Sequence, residues 1–111
     1  MPKYMFLGSY STESWARMVE TPGDRSAVAR EACEAAGGRL DSYYWSFGPD
    51  DFVAIADLPD DASAGAVSVG VQSSGALEGV RTVRLLTVDE SHDLLQKARK
   101  ITGGYRRPGS A

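Results

Sequence analysis

An α+β fold, with an antiparallel four-stranded sheet carrying helices on one face, is predicted by three features of the 111-residue chain. Strand-like and helix-like stretches alternate in the order β-α-β-β-α-β and are followed by one more helix. Two β-propensity runs flank Gly48-Pro49-Asp50-Asp51, a concentrated turn signal that marks a hairpin. The last helix is announced by a capping box, with Thr87 and Glu90 three residues apart.

Each element has its own justification. Lys3 to Tyr10 (KYMFLGSY) sets Met5 and Leu7 on one side and Tyr4, Phe6 and Tyr10 on the other, which suits a strand covered on both faces. Thr12 to Val19 forms a short helical turn with Thr12 as N-cap, and Pro22-Gly23 interrupts it. Asp24 caps a firmer, alanine-rich helix from Arg25 to Ala36, with Val28, Ala32 and Ala35 at helical spacing and Gly37-Gly38 supplying the left-handed stop. Leu40 to Phe47 and Phe52 to Leu58 are the hairpin strands. Pro59 stands outside a third helix, Ala62 to about Val71, whose preceding aspartates suit the positive end of the helix while its valines and glycines oppose it. Val80 to Leu86 (VRTVRLL) alternates as a half-buried strand does, and the final helix runs from Val88 to Lys100 with Leu94, Leu95 and Ala98 as its buried stripe. The glycines, Arg106-Arg107 and Pro108 beyond Thr102 predict a loose tail, which divides the chain into a domain over 1–101 and a tail over 102–111. This order is that of a ferredoxin-like βαββαβ sheet with an additional C-terminal helix. Its uncovered sheet face, rich in tyrosine, leucine and valine, needs a cover, and a second copy of the chain is the simplest one.

Composition narrows the partners. Fifteen acidic against twelve basic residues give a formal charge of -3, so the chain lacks the basic field on which non-specific nucleic-acid binding depends. No apolar run approaches the roughly 20 residues that span a bilayer. The opening Met1-Pro2-Lys3-Tyr4 passes directly into a strand pattern without a signal-peptide stretch, which predicts a cytoplasmic location. One histidine and one cysteine cannot supply a closed structural zinc site, no phosphate-binding glycine fingerprint is present, and no metal or cofactor is expected. Cys33, in an alanine-rich helix, reads as a small buried hydrophobe.

The period of two separates the sheet faces. If the hairpin closes around Gly48 to Asp51, Phe47 lies opposite Phe52, and Tyr43, Trp45 and Phe47 join Phe52, Ala54, Ala56 and Leu58 on the helix side. The other set is mixed in polarity, as ligand cavities are. With Thr82 and Arg84 of the fourth strand assigned to it, the candidate lining is Met5, Leu7, Ser9, Ser42, Tyr44, Ser46, Asp51, Asp57, Thr82 and Arg84. A one-residue shift in the turn would exchange Tyr44 for Tyr43 and Trp45. In the strand order 4-1-3-2, Ser9, Ser46, Asp51 and Thr82 gather at one end of the sheet, and Lys3, Ser42, Asp57 and Arg84 at the other. An Asp51 or Asp57 carboxylate facing a closed apolar chamber acquires a raised pKa and serves as acid or base, while Arg84 or Tyr44 stabilises an enolate or a substrate carboxylate. The plainer alternative is an Asp57–Arg84 ion pair, or rim positions in water. His92, the single histidine, is the acid/base candidate by its ordinary pKa, although its place beside the Leu94-Leu95 stripe points it to solvent. Trp15 is either a lid over the cavity mouth or a hydrophobic anchor for its loop.

The opening PKYMFLGSY, the Gly37-Gly38-Arg39-Leu40 entry to the second strand, the YYWSFGPDD hairpin, the FVAIADLPDDASA run and the VRTVRLLTVDE close resemble the GYD-domain family over about residues 2 to 98. The name-giving Gly-x-Tyr-Asp falls on Gly48, Pro49, Asp50 and Asp51, with Asp50 in the tyrosine's place. The resemblance implies a dimeric α+β barrel, in which two ferredoxin-like sheets meet face to face around a cavity. Similarly built barrels include polyketide cyclases, cofactor-free monooxygenases and isomerases. The expectation is therefore a homodimeric, cofactor-independent enzyme acting on a hydrophobic small molecule by cyclisation, dehydration or isomerisation. Its alternatives are a non-catalytic ligand-binding protein and an oligomerisation domain.

Overall fold

A computed structural model describes residues 1–109. Its elements are β1 (Lys3–Tyr10), α1 (Thr12–Glu20), α2 (Arg25–Ala35), β2 (Arg39–Trp45), β3 (Phe52–Asp57), α3 (Asp61–Ser73), β4 (Leu77–Leu85) and α4 (Val88–Thr102). The four strands form one antiparallel sheet in the order β2-β3-β1-β4, the ferredoxin-like arrangement. Of the tail expected over 102–111, residues 110 and 111 lie outside the described residues.

Local chemistry accounts for the element boundaries. Ser11, one residue before the expected Thr12, caps α1 by accepting from the Ser14 amide. Asp24 caps α2 and Asp60 caps α3 in the same way. The α3 helix is longer than its valines and glycines suggest because Val67 and Val71 pack against the core, and tertiary burial outweighs intrinsic propensity. Thr87 and Glu90 make the reciprocal capping box at the start of α4.

The core lies on the helix side. Tyr4, Phe6 and Tyr10 of β1, Phe52, Ala54 and Ala56 of β3, and Leu58 pack with Cys33 of α2 and Ala64 of α3. The aromatic residues contribute the largest apolar areas, and each such side chain stabilises by about 1.5–3 kcal/mol when fully buried.

Three features depart from the sequence reading. Trp45, and not Phe47, lies opposite Phe52, a shift of two residues that preserves the faces and leaves Phe47 fully exposed beyond the strand. The register slips between Leu40 and Ser42, so Asp41 bulges out and Ser42 opposes Ile55 in mid-sheet, not Asp57 at its end. The stripe on α4 is uncovered: Leu94 and Leu95 are exposed, and α4 contains no buried residue. The helix extends from the body, and the chain measures 62 × 33 × 23 Å with a radius of gyration of 18.0 Å. A compact chain of this length would have a radius of gyration of about 13 Å.

Candidate functional site

The open sheet face is built in rows across three or four strands. In the middle row Val83, Met5, Ile55 and Ser42 stand side by side; in the next, Arg81, Leu7, Val53 and Tyr44. The third row sets Leu85, Lys3 and Asp57 together. Alternate residues of β1 point to the two faces, with Tyr4, Phe6, Gly8 and Tyr10 buried under the helices while Lys3, Met5, Leu7 and Ser9 remain only half-buried. The open face is thus a block of six aliphatic side chains, Met5, Leu7, Val53, Ile55, Val83 and Leu85, edged by charge on two sides.

This placement corrects the expectation for β4. Thr82 and Arg84 face the helices: Thr82 opposes Phe6 and hydrogen-bonds Ser68 of α3, and the Arg84 guanidinium lies 5.7 Å from the centre of the Tyr4 ring and 3.1 Å from Glu90. β4 begins at Leu77, three residues earlier than its expected start, so Ser9 opposes Gly79 and Thr82 sits in mid-sheet instead of gathering with Ser9. The apolar Val83 and Leu85 take the open face in exchange. On an edge strand only partly covered by α3, the more apolar residues do not have to face the helix layer.

Asp57 is the most enclosed charged residue on this face, 7% exposed. Lys3 Nζ lies 3.0 Å from one of its oxygens and Arg39 Nε 3.1 Å from the other, while Asp41 on the bulge takes a second contact with Lys3 at 3.4 Å. The hydrogen bond from Lys3 holds the Asp57 carboxyl below its ordinary range, with Arg39 adding to the effect against the opposing cost of burial. The same contact raises the Lys3 pKa. In the single chain the Asp57 pKa is thus shifted downward, opposite to the raised value expected for it, and Arg84 pairs with Glu90 and not with Asp57. The sequence reading placed Lys3 at this end of the sheet but did not anticipate Arg39 or Asp41, because the bulge that brings them in leaves no local signature.

The pH consequence follows from the sign. A carboxyl whose folded pKa lies below its unfolded value of about 3.9 contributes stability that is fully present above that value and is lost as pH falls through the folded one. Asp57→Asn is expected to lose about 1–2 kcal/mol at neutral pH, with the gap to the parent chain closing in acid. Denaturant unfolding of both proteins at neutral and acid pH checks this.

Asp51 is engaged elsewhere. Its Oδ2 accepts from the Tyr10 amide at 2.9 Å and from Trp15 Nε1 at 3.2 Å. Trp15 also meets Tyr10 and Trp45 edge-on, with ring centres 5.2 and 5.5 Å apart. Trp15 is thus the anchor that ties α1 to the sheet, and Asp51 is the acceptor that fixes it. Ser9 Oγ and Ser46 Oγ donate to the carbonyls of Pro49 and Asp50, closing the hairpin turn, and Arg81 reaches Asp50 at 2.6 Å. His92 is exposed on α4, and Gln96 is its hydrogen-bond partner. Of the expected acid/base residues only Tyr44, 66% exposed, stands on the open face without a hydrogen-bonded partner among the described residues. No group of three or more His, Cys, Asp or Glu able to hold a metal stands together among the described residues.

The family model described as GYD domain matches residues 4–95, from β1 into the last helix. The chain belongs to the GYD-domain family. Neither a curated protein nor a solved structure matches it. In this GYD domain the Gly48–Asp51 turn is structural in its contacts: Asp50 holds Arg81 of β4, and Asp51 holds α1 and the end of β1. No helix among its described residues is long and apolar enough to cross a membrane.

Proposed function

We propose that two copies of this GYD domain pair their open sheet faces into a dimeric α+β barrel that encloses a chamber for a hydrophobic small molecule. The observation that carries the reading is the uncovered block of Met5, Leu7, Val53, Ile55, Val83 and Leu85, contiguous over three strands on a sheet whose other face is covered. A contiguous apolar face of this kind marks an interaction surface, and two sheets stacked face to face stand about 10 Å apart. Ser42, Ser9 and Tyr44 are the small or polar groups that would line the chamber between them, with the Lys3–Asp57 ion pair at one rim. A second reading, cofactor-independent cyclisation, dehydration or isomerisation of a hydrophobic metabolite in the same chamber, draws its support from Tyr44, whose phenol is free to donate a proton to a developing oxyanion.

Light scattering on the purified chain is expected to give about twice the 11.9 kDa chain mass at micromolar concentration. Native mass spectrometry of protein purified from its own host then separates the readings. A retained, chemically unchanged molecule supports binding; release of a converted product supports turnover. A single-chain mass overturns both.

A further inference from the structure

The covered side of the sheet holds a cavity of about 70 Å³ between α2, α3 and the strands. Ala29 and Ala32 on α2 and Ala54 on β3 each present a single methyl group to the interlayer space, while Phe6, Phe52 and Val71 hold the layers apart. The mouth lies at the N-terminal turns of α2, where Val28, 46% exposed, and half-buried Arg25 form the rim.

Two polar features break the apolar wall. Tyr10 and Tyr43 both line the cavity, and their hydroxyls hydrogen-bond each other. Two phenols bonded together use one of their two protons. The Trp45 indole N–H also reaches the Tyr43 hydroxyl, but it is itself a donor, and no acceptor for the second phenol proton stands among the described residues, so one donor is unused. Burial raises the Tyr43 pKa and keeps the phenol protonated, and Arg25 is close enough to oppose that shift. Arg25 itself makes no ion pair among the described residues. Cys33, also in the wall, is held as a neutral thiol by burial and adds no charge.

We propose that this cavity binds a short-chain aliphatic carboxylic acid, with its tail in the void and its carboxylate at the mouth between Arg25 and the tyrosine pair. An apolar void of about 150 Å³ accepts benzene, so one about half that size fits a tail of roughly three to four carbons and excludes a ring. A guanidinium and a phenol that both lack acceptors match the two oxygens of one carboxylate, and charge-assisted bonds of this kind are the strong ones. The site lies on the opposite side of the sheet from the open face and does not depend on dimerisation.

Titrating the full chain with sodium pentanoate, pentanol and sodium acetate, followed by backbone amide chemical shifts, tests the proposal. Pentanoate is expected to saturate in the millimolar range with shifts confined to α2, α3 and the facing strands. Pentanol should bind at the same residues about tenfold more weakly, for want of the charge-assisted bond. Acetate, without a tail, should bind more weakly than pentanoate. Arg25→Gln should reduce pentanoate to the affinity of pentanol while leaving pentanol unchanged. Ala32→Leu, which fills the void, should abolish binding of both. Tyr43→Phe keeps the ring and should weaken pentanoate severalfold, which preserves the test if leucine is not accommodated at position 32. Absence of saturable shifts, shifts centred on Met5 and Ile55 of the open face, or an Arg25→Gln variant that binds pentanoate as the parent does would overturn it.

Discussion

Leu7→Glu is expected to leave the subunit folded and to abolish its self-association. Leu7 stands in the centre of the open face, between Val53 and Arg81 on its two neighbouring strands. In a single subunit a glutamate there meets water, and the neighbouring Arg81 is already held by Asp50, so its cost to folding is small and it gains no ion pair. In the proposed dimer, twofold symmetry would bury two such carboxylates in an apolar interface, and an uncompensated buried charge costs several kcal/mol. The dissociation constant should rise by at least about a thousandfold, which converts a dimer at micromolar concentration into subunits. Val69→Glu, on the exposed outer surface of α3, is the matched control and should change nothing. Sedimentation velocity of the three proteins reads the result directly. A Leu7→Glu variant that remains a dimer would remove the open face as the interface.

The second large effect is on folding itself. Gly38 joins α2 to β2, and a Cβ built on it would lie 2.1 Å from the Asp57 carbonyl oxygen and 2.7 Å from Leu58 Cδ2. The carbonyl is strand backbone, and Leu58 is fully buried, so neither neighbour can yield cheaply. Gly38→Ala is expected to destabilise by about 3 kcal/mol, toward the upper end for overpacking, and to lower Tm by roughly 10–20 °C. Gly65→Ala supplies the contrast. Its Cβ would meet nothing within 4 Å, and it sits inside α3, where alanine is the better helix former by about 0.8–1 kcal/mol. The two substitutions add the same methyl group and should move Tm in opposite directions. A small change for Gly38→Ala in thermal unfolding would show that the α2–β2 junction relaxes more freely than its contacts imply.

Both results bear on where the amino-acid order carries its information. The strands, the principal helices, their succession and the sheet order could be read from the chain, because each depends on signals a few residues long. Lys3–Tyr10 alternates two apolar sets, the Gly48–Asp51 turn separates two β runs, and Asp24 and the Thr87–Glu90 box open helices wherever the rest of the chain lies. The face assignments for β1, β2 and β3 follow from the same period of two, even though the pairing of β2 slipped by two residues.

The contents of the site required contacts between distant parts of the chain. Whether Thr82 and Arg84 or Val83 and Leu85 look toward the helices depends on the register of β4 against β1, about seventy-five residues apart in the chain, and a one-residue phase reverses every side chain. The bulge at Asp41 and the capture of Asp57 by Lys3 and Arg39 arise from packing that no local pattern encodes, and together they turn an expected proton donor into a held carboxylate. The Leu94–Leu95 stripe was legible as apolar, but its exposure was not: amphipathic spacing shows that a face is apolar, whereas burial depends on what the rest of the fold brings against it.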